Sequence, residues 1–256
     1  MATSMPSTEP FGYLLELIRE GADFTLYRGR KHASASPVLV VALTEQPSPQ
    51  SLRRLEHEYS LAAELDPAWA AKPLALTRHE GRTILVLTDP GGEPLDLILE
   101  DRILEADPWQ PLDLTRFLRI SIGLATALGQ VHRQGLIHKD IKPANVLVDD
   151  GSNVWLTGFG IASQLPHEFQ APAPPEIIAG TLAYMAPEQT GRMNRSIDAR
   201  SDLYSLGVTL YQMLTGHLPF DAADPLEWVH CHIARQPARP GDRVAVPSRC
   251  LPWSRR

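Results

Sequence analysis

A short stretch in the middle of the chain carries three side chains whose types and spacing fit phosphoryl transfer. They are Asp140, Lys142 and Asn145, and the apolar run Val146–Val148 follows them directly. Pro143 stops a helix from continuing through them, and the apolar run is typical of a short buried strand, so we expect a loop that enters a strand. A carboxylate can accept the proton of an attacking hydroxyl, an ammonium can neutralise a moving phosphate, and an amide oxygen can ligate Mg²⁺. An ordinary polar surface loop is the alternative interpretation.

The loop as a whole resembles the catalytic loop of protein kinases, with Lys139 in place of the usual arginine. The resemblance implies that Asp140 is the catalytic base, that Lys142 contacts the transferred phosphate and that Asn145 is a metal ligand. A lysine at position 142 makes the loop similar to that of kinases directed at serine and threonine. His138 is expected to have a structural role and to pack beneath the site.

The residues that would contact a nucleotide lie mostly in strands that precede this loop. Apolar runs and turn signals predict a hairpin over 18–27, a buried strand over 38–43 and a further strand over 83–87. The hairpin turn has one glycine where the family has a glycine-rich loop that lets backbone N–H groups approach the phosphates, so an ordinary hairpin is the alternative. The resemblance implies that ATP is contacted by Ile18, Gly21, Leu26, Leu147 and, as the gatekeeper, Leu87.

The strand over 38–43 lacks the lysine that pairs with the phosphates of ATP in active kinases. That position falls on Val41 or Ala42. A helix predicted over 51–65 carries Glu58, which is the candidate for the glutamate that normally pairs with this lysine. The alternative is that Glu58 belongs to a solvated helix face. Helical spacing predicts that the apolar face of this helix consists of Leu52, Leu55, Tyr59 and Ala62.

Two further positions depart from the family pattern. Residues 157–160 read Thr-Gly-Phe-Gly, so Gly158 replaces the aspartate that bridges Mg²⁺ to the phosphates. Glycine has no side chain and cannot ligate a metal. Pro90 falls in the expected hinge, where a backbone N–H donates to adenine, and proline has no N–H. We therefore expect binding of ATP and Mg²⁺ to be possible but weak.

Two helices are predicted in the C-terminal half. The first spans 111–135, begins at Asp113 or Thr115 as its cap and ends at Gly135. Its predicted apolar face consists of Leu118, Ile122, Ala125 and Leu128. The second helix opens with Asp202, which by the resemblance braces the backbone of the catalytic loop. Its predicted apolar stripe consists of Leu203, Leu206, Leu210 and Leu214.

Two segments of this half resemble more specific parts of the family. Residues 180–188 resemble the end of a kinase activation segment, in which Thr181 faces the catalytic carboxylate and ammonium. The runs 180–216 and 227–233 resemble a narrower group, the N-terminal kinase-like module of very large bacterial signalling proteins. In that group an NTPase-like region, a GAF domain and a sensor histidine kinase follow.

We therefore expect an α+β, two-lobed protein kinase fold, with a small β-rich N-lobe and a mainly helical C-lobe. The stretch after 238 is rich in proline and arginine and has no apolar period, so the last helices of the C-lobe are predicted to be missing. This predicts a truncated or frame-shifted chain in which Glu188 lacks its usual arginine partner. The predicted parts are a flexible tail over 1–10, the N-lobe over 11–88, the incomplete C-lobe over 89–238 and an irregular tail over 239–256.

The composition of the chain argues against nucleic acid and membranes as binding partners. The chain has 256 residues, of which 43% are hydrophobic, with 24 basic and 30 acidic side chains and a formal charge of −6. The acidic balance and the lack of a basic run argue against nucleic acid, and no apolar stretch is long enough for insertion into a membrane. Cys231 and Cys250 show no metal-ligand spacing and are expected to be free thiols, which is typical of the cytoplasm.

Two functions remain after these observations. The first is a catalytically degenerate kinase, or pseudokinase, that acts as a regulatory or docking module with protein partners in bacterial signal transduction. The alternative is a weakly active ATP-dependent Ser/Thr protein kinase that uses Asp140, Lys142 and Asn145. Metal and lysine supply much of the electrostatic stabilisation in phosphoryl transfer, so losing both is expected to lower the rate by several orders of magnitude.

Overall fold

The computed structural model describes residues 13–31, 36–79, 81–104, 112–164, 182–192 and 195–244. The chain divides into two compact units. The first comprises Met1–Gly91 with Trp155–Ile161, and the second comprises Gly92–Val154 with Ala162–Arg256. None of the helices in the described ranges is long and apolar enough to cross a lipid bilayer.

The first unit is built on a five-stranded antiparallel sheet. Its strand order is β1-β2-β3-β5-β4. Helix α1 (Pro49–Ser60) and a 3-10 turn (Leu61–Ala63) connect the third strand to the fourth. The strands are β1 (Tyr13–Glu20), β2 (Phe24–Lys31), β3 (Pro37–Leu43), β4 (Pro73–His79) and β5 (Arg82–Thr88).

The continuous apolar run of β3 is explained by burial on both faces of the sheet. Val38, Val40 and Ala42 form a core cluster with apolar residues of β5, and Leu39 and Leu43 are buried on the opposite face. A strand that is covered on both sides needs apolar side chains at every position rather than at alternate ones.

The predicted helix α1 forms, but its buried face differs from the expected one. Ser48 caps the helix, because its hydroxyl accepts a hydrogen bond from the backbone N–H of Ser51 at 3.0 Å. Leu55 is buried as predicted, whereas Tyr59 is exposed and Glu58 is buried in its place. The prediction for Tyr59 is therefore wrong, since an acidic side chain occupies the inward position.

The second unit is mainly helical. Among its short strands, β6 pairs with β8 and β7 pairs with β10, and β9 begins in this unit and continues into the first. Its helices are α2 (Leu95–Leu104), α3 (Leu114–Arg133), α4 (Ala199–Thr215) and α5 (Pro225–Ala234). The strands are β6 (Glu93–Pro94), β7 (Leu136–Ile137), β8 (Val146–Val148), β9 (Val154–Leu156) and β10 (Ser163–Gln164).

Within the described ranges, the second unit also contains four 3-10 turns. They span Pro143–Asn145, Leu182–Tyr184, Pro187–Thr190 and Pro240–Asp242. The last of them packs against α4 and lies at the start of the tail that was predicted to be irregular.

Helix α3 has the predicted ends but buries another face. Asp113 caps it by accepting a hydrogen bond from the N–H of Arg116 at 3.0 Å, and Gly135 follows it with a φ of 73°. Two apolar stripes run along this helix, and the predicted one, except for Leu128, faces solvent. The buried stripe consists of Ile120, Leu124, Ala127, Leu128 and Val131. Hydrophobic spacing alone does not distinguish two stripes of similar character.

Helix α4 also departs from its predicted apolar stripe. Leu203 is exposed, and the inward face is rich in small polar side chains. The hydroxyl of Thr209 donates to the carbonyl of Ser205 at 2.9 Å, and Ser205 donates to Ser201 in the same way. Such bonds to the preceding turn let hydroxyl groups be buried without an unpaired donor. The buried residues of α4 are Ser201, Asp202, Ser205, Val208, Thr209, Met213 and Thr215.

The orientation of α3 is testable with two matched truncations. Leu124 is 0% exposed and Ile122 is 66% exposed. Leu124→Ala should lower the free energy of unfolding by about 3 kcal/mol, because it removes a buried side chain and leaves a cavity. Ile122→Ala should change it by less than about 0.5 kcal/mol, as is usual at the surface. Urea unfolding measures both, and an equal loss for the two variants would contradict the orientation.

Candidate active site

The three side chains predicted to do chemistry form one cluster in the second unit. Asn145 ends the 3-10 turn before β8, and its Nδ2 donates to Oδ2 and to the carbonyl oxygen of Asp140, both at 2.8 Å. Nζ of Lys142 lies 2.8 Å from the same carboxylate oxygen. The structure therefore brings together the carboxylate, the ammonium and the amide that were predicted to act together.

The second carboxylate oxygen of Asp140, Oδ1, is not bonded within this cluster. Oδ1 is buried and has no hydrogen-bond partner among the described residues. A buried acceptor without a donor is costly, so a hydroxyl placed beside this atom would be bound favourably. Because Lys142 and Asn145 hold Oδ2, Oδ1 is the oxygen that can accept the proton of an attacking hydroxyl.

Asn145 provides only part of a metal site. Its amide nitrogen is used on Asp140, so its amide oxygen is the atom left for a cation. Mg²⁺ requires several oxygen ligands in near-octahedral geometry. In the part of the chain that the structure describes, no group of three or more His, Cys, Asp or Glu could hold a metal ion. Asn145 is thus one candidate oxygen ligand for a metal ion.

Asp202, at the start of α4, braces the catalytic loop as predicted. Its carboxylate is fully buried and accepts hydrogen bonds from the N–H groups of His138 and Lys139, at 2.8 and 2.7 Å. It also accepts one from Nε2 of His132 at 2.9 Å. His138 is fully buried, and its Nδ1 accepts a hydrogen bond from the N–H of Asp140 at 3.2 Å.

Lys139 is the most unusual residue of the loop. Its φ of 66° lies in the left-handed region, and its carbonyl accepts a hydrogen bond from Nε2 of Gln189 at 2.9 Å. Only 7% of the residue is exposed. Burial lowers the pKa of its ammonium to about 8, and the nearby charge of Asp202 opposes this shift only in part.

The sequence did not reveal the role of Gln189. This residue lies in the turn Pro187–Thr190 and is buried. Its Oε1 accepts a hydrogen bond from the N–H of Ala186 at 3.1 Å, so one amide joins this turn to the catalytic loop. A glutamine in a turn gives no local signal of burial, because burial depends on elements distant in sequence.

Two predicted features near this turn have different outcomes. Oε1 of Glu188 accepts a hydrogen bond from Oγ of Ser201 at 2.6 Å, and the expectation that this residue lacks its usual arginine partner stays a prediction. Thr181 lies outside the described residues, so its position opposite the catalytic carboxylate stays a prediction.

The strand register of the first unit distinguishes Val41 from Ala42, the two candidates for the position of the missing lysine. Leu26 pairs with Val41, and Leu39 pairs with Leu87. Alternate residues of a strand share a face, so Leu26, Val41 and Leu87 lie on one face of the sheet. Ala42 belongs to the core cluster on the opposite face. Of the two candidates, Val41 therefore shares its face with the predicted nucleotide contacts.

The other predicted nucleotide contacts have local structural roles. Ile18 lies at a β-bulge, where the register shifts between Leu17 and Arg19. The N–H of Gly21 donates to the carbonyl of Phe24 at 3.0 Å, and a Cβ at this glycine would lie 2.9 Å from that oxygen. The tight hairpin turn thus accounts for Gly21. Leu147 is buried in β8 of the second unit.

Gly158 belongs to the first unit, where α1 holds its backbone. Its φ is 77°, and its N–H donates to Oε1 of Glu58 at 3.2 Å. Glu58 is 6% exposed, so the alternative of a solvated helix face is wrong. The next residue, Phe159, is fully buried and packs edge-on against Trp69, with ring centroids 6.5 Å apart.

Comparison with protein families identifies the chain. Residues 27–241 match the model of the protein kinase domain, which is most of the sequence. The chain belongs to the protein kinase family. The predicted kinase fold, with a β-sheet N-lobe and a helical C-lobe, is confirmed, and the two units contain these elements.

Among curated proteins, the chain is similar to bacterial kinases. It is 37% identical to the serine/threonine-protein kinase PksC of Streptomyces coelicolor over 149 residues, which is 58% of this chain and 26% of PksC. It is 31% identical to the serine/threonine-protein kinase PknL of Mycobacterium tuberculosis over 219 residues, which is 81% of this chain and 50% of PknL. The chain thus spans from about a quarter to a half of the length of these relatives.

The buried ammonium of Lys139 leads to a prediction about pH. Because its pKa is about 8 in the folded protein and 10.5 in a model compound, the unfolded chain binds this proton more tightly. The free energy of unfolding should therefore rise as the pH increases from about 8 towards 10.5. It should be lowest below pH 8, where Lys139 is protonated in the folded protein. In urea unfolding, the wild type should gain about 1 kcal/mol between pH 7 and pH 9.

Two variants separate this effect from other titrations. Lys139→Met removes the buried charge and should raise stability at pH 7 and abolish the gain. Lys139→Arg keeps the charge at both pH values and should also show no gain, but without the increase at pH 7. An equal pH dependence in all three proteins would contradict the assignment of the shifted pKa to Lys139.

Proposed function

We propose that this kinase-family chain is a pseudokinase related to the Ser/Thr protein kinases, which acts as a regulatory or docking module. The observation that carries the proposal is the pair Gly158 and Val41. A glycine stands where the metal-binding carboxylate is expected, and a valine occupies the lysine position on the sheet face shared with Leu26 and Leu87. Protein kinase domains generally use ATP and Mg²⁺. In such domains the metal-binding aspartate and the strand lysine both act on the phosphates of ATP.

One neighbouring cation that could replace the missing lysine is already engaged. Nε of Arg28, on the same face of β2 as Leu26, donates to Oδ2 of Asp89 at 2.7 Å. The Asp89 side chain is buried, and its other oxygen accepts a hydrogen bond from the N–H of Gly91 at 2.9 Å. Releasing Arg28 would leave a buried carboxylate without its cation, which is strongly unfavourable.

A weakly active Ser/Thr kinase is the second candidate, and the geometry of Asp140 favours it. The buried Oδ1 of this residue is ready for the hydroxyl of a serine or threonine, while Lys142 and Asn145 hold the carboxylate in place. Relatives that share this sequence similarity are named serine/threonine kinases. Phosphoryl transfer would then depend on Asp140, Lys142 and Asn145 without a complete metal site.

The wider setting is part of the same proposal. The runs 180–216 and 227–233 resemble the N-terminal module of large bacterial sensor histidine kinases with an NTPase-like region, so we place this domain in cytoplasmic signal transduction with protein partners. The cluster at Asp140 supports a polypeptide with a hydroxyl side chain as the ligand. We propose no role for nucleic acid or for membrane insertion.

Nucleotide binding tests the loss of the metal site. We expect weak binding of ATP that is nearly independent of Mg²⁺, because Gly158 removes one protein ligand and leaves Asn145. Isothermal titration calorimetry with ATP in the presence of Mg²⁺ and then of EDTA measures this. A low-micromolar affinity that requires Mg²⁺ would contradict the proposal.

Restoring the missing groups separates the two candidate functions. Gly158→Asp alone should remain inactive in autophosphorylation, because the phosphates still lack a lysine. The double variant Gly158→Asp with Val41→Lys should gain activity, and the further change Asp140→Asn should abolish it as a control. The φ of 77° at position 158 is strained for any side chain, but less so for aspartate than for most residues. Slow autophosphorylation by the wild type that Asp140→Asn abolishes would favour the weakly active kinase.

A further inference from the structure

A buried histidine in α5 has no part in the site described so far. His232 belongs to the segment 227–233 and is 6% exposed. Its Nε2 lies 2.7 Å from the carbonyl oxygen of Leu182, and its Nδ1 lies 2.7 Å from the hydroxyl of Tyr204. A carbonyl only accepts, so Nε2 carries the proton and Nδ1 accepts from Tyr204. Burial lowers the pKa of His232, which keeps the ring neutral near pH 7.

Three aromatic rings fix the orientation of this imidazole. Trp228 stacks on it with centroids 5.8 Å apart and an interplanar angle of 22°. Phe220 and Tyr204 meet it edge-on, with centroids at 5.5 and 5.6 Å. With its hydrogen bonds and its packing both satisfied, His232 presents one N–H donor in a fixed direction towards Leu182.

The carbonyl that His232 holds begins a segment connected to the catalytic loop. The segment runs over 182–190, and Gln189 near its end donates to the carbonyl of Lys139. Between these points, the hydroxyl of Tyr184 donates to Oε1 of Gln212 in α4 at 2.6 Å. The segment is therefore fixed at its start by α5, in its middle by α4 and near its end by the loop that carries Asp140.

We propose that His232 is a positioning residue, which holds the segment 182–190 in the conformation that receives a polypeptide beside Asp140. Gln189 bonds the carbonyl of Lys139, so this segment adjoins the loop that carries Asp140. The proposal rests on the proposed function in taking a polypeptide as the ligand. It adds that α5 controls the receiving surface through a single N–H donor.

Two substitutions at position 232 separate the hydrogen bonds from the packing. His232→Phe keeps an aromatic ring but loses both hydrogen bonds, whereas His232→Gln keeps an N–H for Leu182 and an acceptor for Tyr204. Amide hydrogen exchange of the folded proteins should be about tenfold faster over 183–190 in His232→Phe, as expected for one lost hydrogen bond, and close to wild type in His232→Gln. Exchange in α3 serves as the internal reference.

Two outcomes of this measurement would overturn the positioning role. The first is unchanged exchange over 183–190 in His232→Phe. The second is an equal acceleration in α3, which would mean that the variant lowers global stability instead of releasing this segment. Rescue by His232→Gln is the result that a purely structural histidine would not give, because glutamine does not reproduce the aromatic packing.

A peptide-binding measurement tests whether His232 affects the binding of a polypeptide. The probe is a fluorescein-labelled pool of random peptides with a central serine, followed by fluorescence anisotropy. We expect His232→Phe to weaken binding of the pool about tenfold, with recovery in His232→Gln. Equal binding by all three proteins would overturn the docking role of the segment. If the wild type binds no peptide, the polypeptide ligand of the proposed function fails, whereas hydrogen exchange still decides whether His232 holds the segment.

Discussion

The buried carboxylate of Asp202 determines the conformation of the catalytic loop. It accepts hydrogen bonds from the N–H groups of His138 and Lys139 and from the ring of His132, so its charge is compensated by three donors. A buried carboxylate without such donors would cost several kcal/mol. The left-handed φ of Lys139 then turns the chain so that the N–H of Asp140 meets His138, and this sets the direction of the catalytic side chain.

The regions around Asp140 and Gly158 differ in which of the side chains expected to do chemistry are present. Lys142 and Asn145 both contact Oδ2 of Asp140, and the buried Oδ1 has no hydrogen-bond partner among the described residues. At Gly158 the side chain is absent, and the conformation is kept by a backbone hydrogen bond to Glu58 and by the buried ring of Phe159. The backbone at position 158 is thus held in place without a side chain.

Sequence reasoning succeeded where local chemistry decides the structure. The order of polar residues at 140–145, the capping residue Asp113 and the glycine at 135 each constrain their own backbone, and the structure agrees. Reasoning failed where the answer depends on which face a neighbouring element covers. Leu118 and Leu203 are apolar and correctly spaced but exposed, because packing selects another stripe on each helix.

Buried polar residues were the hardest to predict. Glu58, Gln189 and His232 are polar residues that composition assigns to the surface, yet each is buried and holds a backbone group of a distant segment. Their partners are 50 or 100 residues away in sequence, so no local pattern relates them. Such pairs become visible only when the backbone groups that need a partner are known.

The left-handed backbone at Gly158 has a consequence for the history of this domain. Codons for glycine and aspartate can differ at a single base, and the conformation at this position is less strained for aspartate than for most residues. A carboxylate could therefore arise at position 158 by one mutation. Valine and lysine codons differ at two bases, so the cation at position 41 is separated by a longer mutational path. Positions 158 and 41 therefore differ in the number of base changes that separate them from aspartate and lysine.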